Sequence, residues 1–309
     1  MHSEWSEEVL FPAANAVGYR LVYEAETWLR RMCWTALLLS DGPAWASTLD
    51  ERLRQRLEAQ SRSNSSRWYL GVDTEEELLW STTPGQLAGL LRRDSIQQHL
   101  HRLCGFYGEL LAQRLESVVA IRNTLAHNRA ISDESITILQ GDLSVVRAAV
   151  KRFKTTTLYG PEPDLGSIDD YTPEDDIPAD DLFEFLFVFE DLQQTLPDQQ
   201  LLVAGTENFV SLTRLPADPG GWPDGNKLRA HLGSVVRLIV CVLANKTGAE
   251  FEILMPRALP LDNKLEVLRR FMTPEVLRDS WTDIPPEKQH PTSSCWPRLW
   301  FYENRRPES

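Results

Sequence analysis

Near residue 122 the chain reads Arg122-Asn123-Thr124-Leu125-Ala126-His127, a set of side chains able to cleave RNA without a metal. A histidine moves protons near neutral pH and so suits general acid–base work. An arginine grips a phosphate through both prongs of its guanidinium and neutralises charge that develops there. The amide beside it can orient either group. Spacing alone proves little: with 26 arginines and 6 histidines in 309 residues, an arginine followed by four to six residues and a histidine arises by chance about 1.5 times. Arg92 and Arg93 both stand at such distances from His99.

The element that carries the six residues is more telling. From Phe106 to His127 there is no proline and no glycine after Gly108, and the run reads as one helix. Leu111, Leu115 and Val118 follow i, i+4, i+7 spacing and mark its buried stripe. Four residues further the stripe meets Arg122, a charge at the edge of an apolar face that needs a partner or a ligand. Glu116, Ala120, Asn123 and His127 share a neighbouring face, so the spacing predicts a hydrogen bond from Asn123 to the His127 ring. Ala120 would let another helix approach closely. Asn128 tolerates the left-handed conformation and is expected to end the helix.

A long helix closing on RN-x-x-x-H leads into a polar turn (Asn128 to Ser135), a small apolar segment (Ile136 to Leu139) and a final helix from Asp142. This order resembles a HEPN domain, the family named for nucleotide binding in higher eukaryotes and prokaryotes, over residues 15 to 155. The resemblance implies a helical bundle and a metal-independent endoribonuclease of toxin, abortive-infection or antiviral-defence type. Two protomers would pair their motif helices into one cleft. It assigns catalysis to Arg122, Asn123 and His127, and substrate contact to Arg122 and Asn128. Glu24 on the first helix and Glu116 would support the site from behind. No metal or cofactor is implied. The partners implied are RNA, a second copy of the chain and an antitoxin or other inhibitory partner. The rival reading is a HEPN-like module without catalysis that binds a nucleotide or serves dimerisation. Glu26 and Arg30 are expected only as a surface i, i+4 pair.

Composition bounds the rest. The net charge of −13 divides unevenly. Residues 1–155 carry 18 Lys and Arg against 19 Asp and Glu, a net of −1, while residues 156–309 carry 14 against 26, a net of −12. The first half therefore lacks the strong basic footprint of a duplex-binding domain, but has room for a small basic cleft that reads a few nucleotides. No run of 18 apolar residues predicts a membrane span. The start, MHSEWSEEVLF, lacks the basic-then-apolar order of a signal peptide. Four scattered cysteines (33, 104, 241 and 295) fit reduced thiols in a cytoplasm. His99, His101 and Cys104 invite a metal reading, but His99 and His101 point in different directions on a helix and read as ordinary helix residues.

The fold class expected is a mainly α, HEPN-like helical bundle (1–155), an acidic proline-containing linker (156–181) and a smaller α+β domain of unknown role (182–309). In the bundle, helices are expected over Val17–Leu39 and Thr48–Ala59, with a polar loop at 61–66. Thr83 and Pro84 open a short helix, and Asp94 opens another. The linker reads first as a solvated spacer, with competition against RNA for the arginines of the cleft as the second reading. Beyond it, Leu182–Glu190 suits strand or helix, and Leu201–Ala204 pairs with Asn208–Leu212. Leu228–Ala244 suits helix or buried strand. Phe251–Met255 reads as a strand, Lys264–Phe271 as a helix, and Trp296–Tyr302 as a docked aromatic tail.

Overall fold

The computed structural model describes residues 12–65, 78–158, 182–194, 200–206, 208–215, 222–245, 251–273, 275–282, 284 and 300–303. It is mainly helical, with a small, largely antiparallel sheet in the C-terminal region. The helices are α1 (Ala13–Asp41), α2 (Glu51–Ser65), α3 (Pro84–Leu91), α4 (Asp94–Cys104) and α5 (Phe106–Ala126). They continue with α6 (Asp133–Leu158), α7 (Leu182–Gln194), α8 (Gly225–Leu232) and α9 (Leu261–Phe271). Among the described residues none is long and apolar enough to cross a membrane.

The chain divides into two compact units, one of Met1–Cys33 with Thr82–Thr156 and one of Trp34–Ser81 with Thr157–Ser309. The later division falls between Thr156 and Thr157. Residues 34–81 group with the second unit. The acidic linker lies outside the described residues after Leu158.

In the first unit each helix end has a local cause. Pro84 fits the first turn of α3, where its missing N–H is not needed. The Thr83 hydroxyl accepts from Gln86 N–H at 3.3 Å, while the Gln86 side chain accepts from Thr83 N–H at 2.7 Å, a reciprocal cap. Ile96, Leu100, Leu103 and Cys104 form the buried face of α4. At the corner into α5, Gly108 lies against α4 so closely that a Cβ there would meet the Leu100 carbonyl oxygen at 2.3 Å. Leu111, Leu115 and Val118 are fully buried on α5, as their spacing predicts.

The α6 region differs from expectation. It is one unbroken helix from Asp133, with no separate apolar segment before Asp142. Ser132 Oγ accepts from Ser135 N–H at 3.3 Å, and Asp133 and Glu134 occupy the first turn, where negative charge suits the free N–H groups. Leu139, Leu143, Val146, Val150 and Phe153 then run as one buried stripe. Asp142 sits inside the helix, 3% exposed, 3.4 Å from the Arg114 guanidinium.

In the second unit, α2 continues through Ser65, so most of the expected polar loop at 61–66 is helical. Trp34 and Trp45 meet edge to face, 5.9 Å between ring centres. Leu182–Glu190 resolves as helix: Phe185 and Phe189 are buried one turn apart, the period of α7 and not of a strand. The main sheet has the order β1 (Gln200–Gly205), β2 (Phe209–Leu215), β5 (Phe251–Pro256), β4 (Cys241–Asn245), β7 (Trp300–Glu303). β1 and β2 form the expected hairpin, and β7 joins the edge parallel to β4. A small ribbon pairs β3 (Trp222–Pro223) with β6 (Trp281–Thr282). The apolar run 228–244 is shared between α8, a tight 3₁₀ turn (Gly233–Leu238) and β4. Val210, Leu212, Ile253 and Met255 meet Leu228, Leu268 and Phe271 in the core.

Candidate functional site

The six-residue motif occupies the last turn of α5. His127 is the C-cap, and Asn128 follows with φ 54°. Arg129 N–H donates to the Thr124 carbonyl at 3.2 Å and Asn128 N–H to the Leu125 carbonyl at 2.9 Å. These two bonds are a Schellman closure, which satisfies carbonyls that a helix end otherwise leaves orphaned. The left-handed residue expected at Asn128 is therefore present, and it fixes where the exposed His127 stands.

The N-terminal part of α1 holds this turn from the other side. Asn15, 2% exposed, donates through Nδ2 to the Arg129 carbonyl and accepts at Oδ1 from Ile131 N–H, both at 3.1 Å. Tyr19 OH donates to the Leu125 carbonyl at 2.5 Å. Between them Gly18 packs flush, since a Cβ there would meet Ile131 Cδ1 at 2.5 Å. Asn15, Gly18 and Tyr19 escape sequence reading because nothing local marks them; their role depends on which turn α1 crosses.

Arg122 leaves the buried stripe as expected, with its side chain 43% exposed. Its Nε lies 3.7 Å from Glu26 Oε1, an oxygen that is buried and accepts no hydrogen bond among the described residues. The other Glu26 oxygen accepts from Arg30 Nη1 at 2.9 Å, and Arg30 Nη2 donates to the Thr82 carbonyl at 3.0 Å. The Glu26–Arg30 pair is thus no surface pair: the two side chains are only 15% and 10% exposed. Glu26 is a shared carboxylate between a buried arginine and the motif arginine.

The residues expected to support the site lie elsewhere. Glu24 accepts from Arg147 Nε at 2.7 Å and Nη2 at 2.8 Å, a forked pair that raises the Arg147 pKa above its ordinary value. Glu24 and Glu26 are two residues apart and so point to nearly opposite sides of α1, and only Glu26 reaches the motif helix. Glu116, three turns before His127, is bonded to Arg92, the residue that closes α3. The predicted Asn123–His127 bond is not formed: among the described residues neither side chain has a hydrogen-bond partner, and both are exposed. The two share a backbone bond only, His127 N–H to the Asn123 carbonyl at 3.2 Å.

No group of three or more His, Cys, Asp or Glu side chains among the described residues is placed to hold a metal. His101 Nδ1 pairs with Glu109 at 2.7 Å, and Cys104 is buried with its thiol pushed up to about 12 by desolvation. A hollow of about 420 Å³ lies at this opposite end of α5, lined by Gln97, Gln98, His101, Arg102 and Glu109. The chain has no significant match among family models, curated proteins or solved structures.

Proposed function

We propose that the protein is a metal-independent endoribonuclease of HEPN type whose site is built from two copies of α5. The observation that carries this reading is the geometry of Arg122 and His127. At 3.6 residues per turn, side chains five apart on a helix diverge by roughly 140°. One copy therefore offers an arginine and a histidine facing different ways, which makes a poor clamp for a single phosphate. Two copies related by a two-fold axis would supply the missing group to each other. The face presented for that contact, Glu116, Ala120, Asn123 and His127, is exposed, and Ala120 leaves room for a close approach.

In this mechanism one His127 takes the proton of a ribose 2′-OH as its oxygen attacks the adjacent phosphorus. The P–O5′ bond breaks, and the same His127, now protonated, gives that proton to the departing oxygen. The products are a 2′,3′-cyclic phosphate and a 5′-OH. Arg122 offers its Nη edge to the phosphate oxygens, because the Nε edge faces Glu26. The need for a 2′-OH makes RNA the substrate.

The test is RNA cleavage in EDTA by wild type and by His127→Ala. Cleavage with cyclic-phosphate ends, lost in the variant, is the expected result. Products with 3′-OH ends, or activity that chelation removes and Mg²⁺ restores, would reject the mechanism. A protein that binds RNA without cutting it would favour the non-catalytic module.

A further inference from the structure

Two aromatic rings stand exposed beside the motif. Tyr19 is 40% and Tyr23 is 65% exposed, one helical turn apart on α1. Tyr19 is tethered by its hydroxyl to the Leu125 carbonyl, while Glu26, on the same face, reaches Arg122. Tyr23 falls between these two contacts, about 4.5 Å along the helix axis from Glu26 and about 6 Å from Tyr19. It is therefore flanked along α1 by two groups that both touch the last turns of α5, which puts it on the side of α1 that meets the motif helix. Burying so large a ring would be favourable, and leaving it in water forgoes that gain.

We infer that Tyr23, backed by the anchored Tyr19, is the platform on which an unpaired base stacks when Arg122 holds the neighbouring phosphate. This rests on the reading of the motif as an RNA site. Aromatic faces beside a cation are the two elements that single-strand recognition combines: the cation tracks the backbone, and the ring takes any base through its π face. A base inside a duplex is stacked and paired, so it cannot reach the ring without being splayed out. The first half of the chain carries a net of only −1, short of the strong positive charge by which duplex is held. Site selection then comes from the accessibility of a base beside the cut, and tolerance of sequence is expected.

The experiment measures binding of the full chain to a 2′-O-methyl oligoribonucleotide, which lacks the attacking hydroxyl, presented single-stranded or annealed to its complement. Wild type is expected to favour the single strand. Tyr23→Ala should weaken that binding on the order of ten-fold or more, as for loss of one stacked base, with little change on duplex. Tyr23→Phe keeps the ring and should bind as wild type. If Arg122→Ala loses binding but Tyr23→Ala does not, the platform is refuted while the phosphate site stands. If wild type binds neither strand form, the RNA reading itself fails and the platform with it. If Tyr23→Ala instead shifts the sedimenting species from dimer to monomer, the ring belongs to a contact between copies, and the inference is overturned.

Discussion

Glu26 Oε1 and Arg122 Nε lie 3.7 Å apart, and the carboxylate oxygen accepts no hydrogen bond among the described residues although it is buried. A buried carboxylate without a donor is costly unless a charge compensates it. Here two arginines, Arg30 and Arg122, do so from opposite oxygens. Glu26 thus ties the orientation of the motif arginine to a buried pair in α1, and it is a positioning residue for whatever Arg122 binds.

Glu26→Gln should therefore separate kcat from KM. The amide preserves shape and can still accept from Arg30, but it no longer attracts Arg122. Phosphate attraction is then less neutralised, so KM should hold or fall. Steady-state kinetics should show kcat falling several-fold, since orientation is worth more in the transition state than in the ground state. Unchanged kcat and KM would confine Glu26 to its pair with Arg30.

Arg122→Ala and His127→Ala, each inactive alone, should complement when the two proteins are mixed and allowed to exchange subunits. In the mixed dimer one site receives the intact arginine of one copy and the intact histidine of the other. Statistical mixing of a two-fold dimer predicts about a quarter of wild-type activity. No recovery, with exchange confirmed by mass spectrometry, would place both groups of a site on one chain. Arg122→Lys should recover little in either case, because an ammonium lacks the forked geometry.

Asn15→Ala should loosen the motif turn. It removes the partners of the Arg129 carbonyl and of the buried Ile131 N–H, at a cost of about 1–3 kcal/mol for the latter, which is left unsatisfied. Thermal denaturation should show a lower Tm, and hydrogen exchange should speed at residues 128–131. Exchange that is unchanged there would mean that the Schellman closure alone holds the turn.

Burial pushes the Cys33 and Cys104 thiols from 9.0 up to about 12. The folded state thus keeps these protons to higher pH than the unfolded state does. The stability they contribute is complete below pH 9 and is lost as pH rises from about 9 toward 12. Denaturant midpoints should fall over that window, and less steeply in Cys33→Ala or Cys104→Ala. Both thiols should also resist alkylation at pH 8 until the protein unfolds.

Local signals account for what the sequence made legible. The Thr83–Gln86 cap, the α5 stripe and the left-handed Asn128 each depend on residues within one or two turns. Tertiary choices account for what it did not. Glu24 and Glu26 are equally plausible supports until the face of α1 that meets α5 is known. Asp142 looked like a helix start because its acid suits one, whereas Arg114 from α5 lets it sit inside α6. The grouping of residues 34–81 with the second unit has no local mark at all, because α1 runs through the division at Cys33 without a break.

That division bears on how the chain is made. During synthesis at roughly 5–20 residues per second, N-terminal segments emerge first and fold when their partners exist. The first unit has all its parts once residue 156 has left the ribosome. Trp34–Ser81, made early, falls in the unit whose other residues begin only at Thr157, and the sheet gains its last described strand at Trp300–Glu303. That unit is complete only when its last strand is made, seconds after Trp34–Ser81 has emerged, a window in which a chaperone or a misfolding contact competes for its apolar residues.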